Sequence, residues 1–242
     1  MNTIQNIVEY YDELYPVSGD QKKFYEQLFS EYTKPIRLLR VKCATGYFEH
    51  LLARNGEDVT GIEDDKDLLH SANLRRRNQL MSIRFFEMST LDMTRFLGKN
   101  FYNVISVLDD KLMLIHDKTL LRKFFYDTKE LIAPGGVLVI QGTNFGPIKQ
   151  MDKARLPVRE SVRVKLLSEV YRSDDKYYIN QNVETGNGKI LPVMSSTQIY
   201  PVTIEDIKEM AGEAGYKNMT VYADFAKTRF TGSEDSYVVV IR

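Results

Sequence analysis

The chain is short of cysteine, of net charge and of long apolar runs, and each shortage closes a class of function. A single cysteine, Cys43, cannot form an internal disulfide, which fits a reducing compartment. Nothing near Cys43 supplies a paired base, so a catalytic thiol is not expected. There is no paired-cysteine metal site, no Gly-Lys-Ser/Thr phosphate loop and no Gly-x-Ser-x-Gly elbow, and no metal is implied. The 33 basic residues are cancelled by 33 acidic ones. A protein that grips nucleic acid through its overall field is basic, so no nucleic-acid partner is expected. No apolar run approaches the roughly 20 residues that span a bilayer, and no membrane is expected. The opening residues, MNTIQNIVEYYDELYP, lack the basic start and apolar core of a signal peptide. The expectation is a soluble, cytoplasmic protein. With no repeat or low-complexity stretch, its 242 residues suit a single domain, 1–242.

What is present is an alternation of two hydrophobic periods. An aromatic and acidic opening (Tyr10, Tyr11, Asp12, Tyr15) leads to a helix with Phe24, Leu28, Phe29 and Tyr32 at helical spacing, for which Asp20 is the expected cap. Pro35 closes this N-terminal cap segment, 1–34. Then follow a strand, Ile36 to Val41, a tight loop, Cys43 to Gly46, and a helix stopped at Gly56. Asp58 to Glu63 reads as a second strand, Asp65 to Arg77 as a helix, and Ser82 to Met88 as a third strand. Phe101 to Leu108 is nearly all apolar and so predicts a strand covered on both faces. Asp117 suits the cap of a long helix, and Pro134-Gly135-Gly136 turns the chain into a fifth strand. These units predict an α/β fold: a doubly wound, mostly parallel sheet of seven strands. Residues 142–202 break the pattern with period-two alternation around Asn187-Gly188, the mark of an antiparallel β insertion. Thr203 and Asp206 match a capping box, and the final strand, Ser236 to Ile241, should pair antiparallel beside the strand near Val221.

In such sheets ligands bind at the carboxyl ends of the strands. Gly46 opens a helix whose amides can face a polar ligand group. Glu63 ends the second strand, where an acid can accept from ribose hydroxyls, and Asp92 follows the third, where a carboxylate can meet an adenine amino group. With these residues in place the chain resembles class I S-adenosylmethionine-dependent methyltransferases of the small-molecule branch. The resemblance runs through YYDELYP, VKCATGYFEHLLARNGEDVTGIEDD, STLDMTRFLGKNFYNVI, LIAPGGVLVIQGTNF and EMAGEAGYKNMTVYADF. It implies a Rossmann-like fold, S-adenosylmethionine as cofactor and a small-molecule methyl acceptor. It also implies a cofactor site of Tyr11, Tyr15, Cys43, Ala44, Gly46, Glu63, Asp64, Asp92, Met93 and Leu108. In it Glu63 holds the ribose, Asp92 and the Met93 amide meet adenine, and Tyr11 and Tyr15 cover the cofactor. The 142–202 insertion would then build part of the acceptor pocket.

The glycine-rich loop departs from the family pattern. Arg40 stands where the family has an acid, and Lys42 and Ala44 stand where it has glycines. A bare positive charge about 5 Å from a sulfonium costs ~3 kcal/mol at an effective dielectric near 20. Lys42 is expected to face the pocket, pairing with the cofactor carboxylate. The expected alternative is a catalytically inactive scaffold or ligand-binding protein on the same fold. A dinucleotide-dependent oxidoreductase fares worse, because Gly-x-Gly-x-x-Gly is absent. Catalysis of methyl transfer is chiefly positioning, so no universal catalytic residue is required. His116, just past the fourth strand, is the one weak candidate for a base, an ordinary loop histidine being the stronger reading. His50 and His70 read as structural or exposed. The basic stretch Lys149, Lys153, Arg155, Arg159, Arg163 and Lys165 reads as a solvated face, with an anionic acceptor as the alternative.

Overall fold

The structure, a computed structural model, describes residues 3–76 and 82–242. Two short helices, α1 (Gln5–Val8) and α2 (Tyr11–Leu14), precede α3 (Gly19–Phe29). The cap of α3 is Ser18, whose hydroxyl accepts from the Gln21 amide. Asp20, the residue expected there, lies in the first turn instead. The extended backbone of Ser18 is what lets its side chain reach back over that turn.

The parallel core then builds in order: β1 (Arg37–Val41), α4 (Tyr47–Arg54), β2 (Asp58–Glu63), α5 (Lys66–Arg76) and β3 (Ile83–Glu87). Arg77, the expected end of α5, lies outside the described residues. The short α6 (Met93–Phe96) leads into β4 (Tyr102–Val107), α7 (Lys118–Leu131) and β5 (Ile132–Thr143). Asp117 caps α7 by accepting from the amides of Thr119 and Leu120. Pro134-Gly135-Gly136 does not precede the fifth strand. It lies within it as an irregularity, the pairing jumping from Tyr102 with Ile132 to Val104 with Val137. A side chain at Gly136 would meet the Asn103 and Ala133 carbonyls at 2.9 Å, so the chain can turn there only with glycine.

Residues 153–199 form a separate antiparallel sheet: β6 (Lys153–Arg155), β7 (Arg159–Glu160), β8 (Val164–Ser173), β9 (Lys176–Thr185) and β10 (Ile190–Ile199). The chain returns through α8 (Ile204–Glu213), whose capping box joins Thr203 and Asp206, to β11 (Met219–Tyr222) and β12 (Ser236–Ile241). The main sheet has seven strands in the order β11-β12-β5-β4-β1-β2-β3. β12 runs antiparallel between β11 and β5, as expected, and the apolar β4 lies at the centre. One core packs α7 and α8 against one face of this sheet, and a second packs α3 and α4 against the other. A third joins α1 and α2 to the inner side of the antiparallel layer through Ile7, Tyr11, Leu14, Leu166, Val170 and Ile179. That third core sits over the carboxyl ends of the parallel strands and roofs the ligand-binding edge of the sheet.

Candidate functional site

The loop after β1 keeps a glycine-like backbone without the glycines. Lys42 has φ +53°, Ala44 φ +52° and Gly46 φ +68°. For a side chain carrying Cβ, the left-handed region costs about 1–2 kcal/mol per residue. Gly46 is required for a second reason: a Cβ there would lie 2.5 Å from Phe85 Cζ and 3.0 Å from Ala72 Cβ. Its packing against β3 and α5 thus accounts for this glycine without a ligand. Cys43 is buried among apolar side chains, and burial pushes its thiol well up, leaving an inert sulfur.

Glu63 ends β2 and organises the loop. Its Oε2 accepts from the Ala44 amide (2.8 Å), and its Oε1 accepts from the amides of Asp64 (3.0 Å) and Asp65 (3.1 Å). Burial raises its pKa against the pull of Lys111 and Lys42. The carboxylate borders a cavity of about 450 Å³ that Lys42, Asp64, Lys111, His116 and Thr197 also line. Asp64 separates this space from a cavity of about 550 Å³ between the ends of β2 and β3, where Phe86, Met88, Ser89 and Asp92 form the wall. Met93 and Leu108 turn their side chains into the apolar cores, so only their backbone is open to a ligand. His116 is exposed at the rim of the first cavity and accepts a 3.5 Å bond at its carbonyl from Gln198.

Lys42 does not offer a free charge. Its Nζ is held by both oxygens of Asp64, at 2.6 and 2.9 Å. Burial would raise the Asp64 pKa, but the ammonium more than offsets this and holds it below its ordinary value.

Arg40 is likewise clamped. It is 2% exposed, with Nε bonded to Glu49 at 3.0 Å and Nη2 to Asp109 at 2.7 Å. Neither partner was legible as such: Glu49 projects from the first turn of α4, and Asp109 follows β4 in the left-handed conformation, φ +58°. The two carboxylates outweigh desolvation and raise the Arg40 pKa. Burial pushes the Glu49 carboxyl up to about 7 despite Arg40. One guanidinium nitrogen, Nη1, has no partner. It belongs to the group that walls a space of only about 20 Å³ under Tyr11 and Tyr15.

Those two rings stack with centroids 4.6 Å apart, and the Tyr11 hydroxyl donates to Asp109 at 3.4 Å. Burial and then Asp109 raise the Tyr11 pKa. Lys111 lies 5.1 Å from the Tyr11 ring centroid, its pKa lowered by burial. The N-terminal segment is fixed on both sides. Asp12 receives bonds from Thr45 and Arg75, Arg163 binds Glu9 and Glu13, and Asn6 donates to the Pro192 carbonyl at 2.7 Å. Within the basic stretch of the insertion, Lys149 pairs with Asp206, Lys153 with Glu169, Arg159 with Asp110, and Lys165 with Glu160. Among the described residues there is no His, Cys, Asp and Glu group suited to a metal ion, and no helix long and apolar enough to cross a membrane.

No family model matches the chain. A methyltransferase candidate of Geobacillus sp. (strain WCH70) is 28% identical over 103 residues, a match covering 43% of this chain and 40% of that protein. The glycine/sarcosine N-methyltransferase of Aphanothece halophytica is 21% identical across 99% of this chain and 89% of its own length. The crystal structure of an S-adenosylmethionine-dependent methyltransferase from Clostridium acetobutylicum ATCC 824 superposes with a TM-score of 0.79 at 14% identity, covering 100% of this chain and 99% of that one. The chain resembles the S-adenosylmethionine-dependent methyltransferases along its whole length and has their fold.

Proposed function

We propose that this protein binds S-adenosylmethionine and transfers its methyl group to a small molecule. The observation that carries this reading is the Glu63 carboxylate, set at the carboxyl end of β2 between the loop amide of Ala44 and a cavity large enough for a nucleoside. Two tests of fit agree with it. The two cavities meeting at Asp64 support it with room for an adenine beside Asp92 and for a ribose beside Glu63. The orphaned Nη1 of Arg40 marks the other end, where it is a donor for the cofactor's carboxylate, and Asp109 is an acceptor for its ammonium. The bound cofactor supplies an electrophilic methyl on a sulfonium. The chain's part is to hold both reactants in line and to exclude water, which the Tyr11–Tyr15 stack and the antiparallel layer are placed to do.

A second reading is favoured by one observation: the space beside Arg40 is about 20 Å³, too small for the amino-acid end of the cofactor while the N-terminal segment stays down. On that reading the fold serves as a scaffold. Calorimetric titration with S-adenosylmethionine, and with its demethylated product, separates the two. The methyltransferase reading expects both to bind, with NADH showing no heat; no binding of either ligand leaves the scaffold.

A further inference from the structure

A third cavity, of about 230 Å³, lies on the opposite side of Tyr15, between the ends of β4 and β5 and the inner side of the antiparallel layer. It is more polar than the cleft and its polar groups are oriented. Asp110 is 8% exposed in the left-handed conformation, φ +61°, directly after the left-handed Asp109. Backbone held in such a region persists only where surrounding structure enforces it, and it clusters at ligand sites. The Asp110 carboxylate takes one bond on each oxygen, from Thr143 Oγ1 at 3.1 Å and from Arg159 Nη2 at 2.7 Å. Each oxygen has a second lone pair left. Arg159 reaches in from β7, its guanidinium 4.6 Å from the Tyr15 ring centroid, and with Nη2 on Asp110 it has further donors for a ligand. Ser168 accepts from Gln181 Nε2 at 3.0 Å, so its own hydroxyl proton is directed elsewhere. Of the residues expected to cover the cofactor, Tyr15 borders these groups.

We infer that this cavity is the acceptor site, and that it takes a small zwitterion carrying an amine and a carboxylate, the amine on Asp110 and the carboxylate on Arg159 and Ser168. The inference rests on the methyltransferase reading for its role in turnover, but not for its ligand. Size argues for a small metabolite, since the cavity is below the roughly 300–1,000 Å³ of a drug-sized site. Charge argues for both signs, because a buried carboxylate and a half-buried guanidinium each retain unused hydrogen-bonding capacity in one enclosure. A purely anionic acceptor would face Asp110, and a purely cationic one would face Arg159. In turnover the ammonium first loses its proton to solvent water. The nitrogen lone pair then forms the new N–C bond as the S–C bond breaks and its electron pair returns to sulfur.

Binding is read without turnover. γ-Aminobutyrate, glycine, n-butylamine and butyrate are titrated by ligand-observed NMR into wild type, Asp110→Asn and Val158→Trp; Val158 is an exposed residue at the rim of the cavity. At least one zwitterion is expected to bind tenfold or more tightly than either singly charged analogue. Asp110→Asn should weaken zwitterion and amine by about tenfold, and Val158→Trp should weaken all ligands while leaving the Asp110–Arg159 pair in place. Butyrate binding as tightly as γ-aminobutyrate overturns the proposal, as does binding unaffected by both variants or no binding by any of the four probes at millimolar concentration. Titration of wild type with S-adenosylmethionine is a separate arm: its failure removes the methyltransferase reading, while the amine result is still read directly.

Discussion

The two halves of the cleft are built on opposite plans. On the β2–β3 side, cavities of about 450 and 550 Å³ meet at Asp64, and the acid at the strand end is anchored by backbone amides. On the β4 side the space shrinks to about 20 Å³, and charged side chains fill it: Arg40, Glu49 and Asp109 beneath two stacked tyrosines. The open half is shaped by backbone and the closed half by ion pairs. This contrast changes what the unusual loop means. A bare Arg40 would repel a sulfonium, but Arg40 arrives with two carboxylates, so the cluster as a whole presents no excess of positive charge. The loop has kept its left-handed backbone while its charges have been neutralised inside the protein.

The sharpest way to break this comparison is to remove the centre of the ion cluster. Arg40→Met leaves Glu49, 1% exposed, and Asp109 facing each other without a cation. Breaking a buried pair by removing one partner costs about 3–5 kcal/mol. Urea denaturation should show that loss, and Arg40→Met combined with Glu49→Leu should recover much of it. A single variant as stable as wild type would mean the cluster is solvated and the closed half is in truth open.

Gly46→Ala tests the open half at its packing rather than its charge. The added Cβ meets the Phe85 ring at 2.5 Å, with Ala72 at 3.0 Å on the other side, and the backbone is left-handed. Overpacking and backbone strain together should cost about 3 kcal/mol by denaturant titration. A loss under about 1 kcal/mol would show that β3 can withdraw, and that Gly46 is free to serve a ligand.

Much of this framework was legible in the chain. The alternation of strand and helix periods, the nearly all apolar β4, the Asp117 cap and the Thr203–Asp206 box are all local signals, and the structure shows each of them. Two local readings went elsewhere. Ser18 rather than Asp20 caps α3, and Pro134-Gly135-Gly136 is absorbed into β5, because a neighbouring strand can hold an irregular stretch that composition alone reads as a turn. What was not legible was the partner of each unusual charge. Arg40 meets Glu49 only because α4 turns its first coil back over the strand, and it meets Asp109 only because β4 lies beside β1. Lys42 meets Asp64 across two parallel strand ends. Glu63 stood out as a ribose acid, but its three backbone bonds were hidden. Glu63→Gln would therefore set an amide N–H against backbone N–H groups and disturb the loop as well as any ligand, so it is a poor isolated test of ribose binding.

The ion cluster should also be visible in the pH dependence of stability. The Glu49 carboxyl is pushed up to about 7 from an ordinary 4.5, so the folded state holds a proton that the unfolded state releases between those values. Stability from this group is therefore complete below about pH 4.5 and is lost as pH rises to about 7, with little further change above. The expected loss is about 3 kcal/mol, seen as the difference between wild type and Glu49→Gln across that window. Parallel pH profiles for the two proteins would show that Glu49 stays ionised against Arg40.

The smallest effect is expected at Lys42, and it sharpens the comparison because this lysine stands at the border of the two halves. Lys42→Gly removes a left-handed residue carrying Cβ, a gain of about 1–2 kcal/mol. Against this stand the greater freedom of glycine in the unfolded chain, about 0.5–1 kcal/mol, and the loss of a partly exposed ion pair worth about 1 kcal/mol or less. Stability should then change by no more than about 1 kcal/mol. The ligand affinities carry the sharper readout. S-Adenosylmethionine has a sulfonium that its demethylated product lacks, so any net charge near the sulfur separates their dissociation constants. The lysine ammonium and the Asp64 carboxylate form a pair with little net field. Deleting the lysine uncovers one carboxylate, which at about 8 Å through water is worth about 0.5 kcal/mol to a sulfonium. The ratio of the two dissociation constants should move by threefold or less, toward S-adenosylmethionine, and return when Asp64→Asn is added. A tenfold shift would mean that the ammonium leaves Asp64 when ligand binds and acts on the sulfur directly, placing Lys42 in the closed half with Arg40.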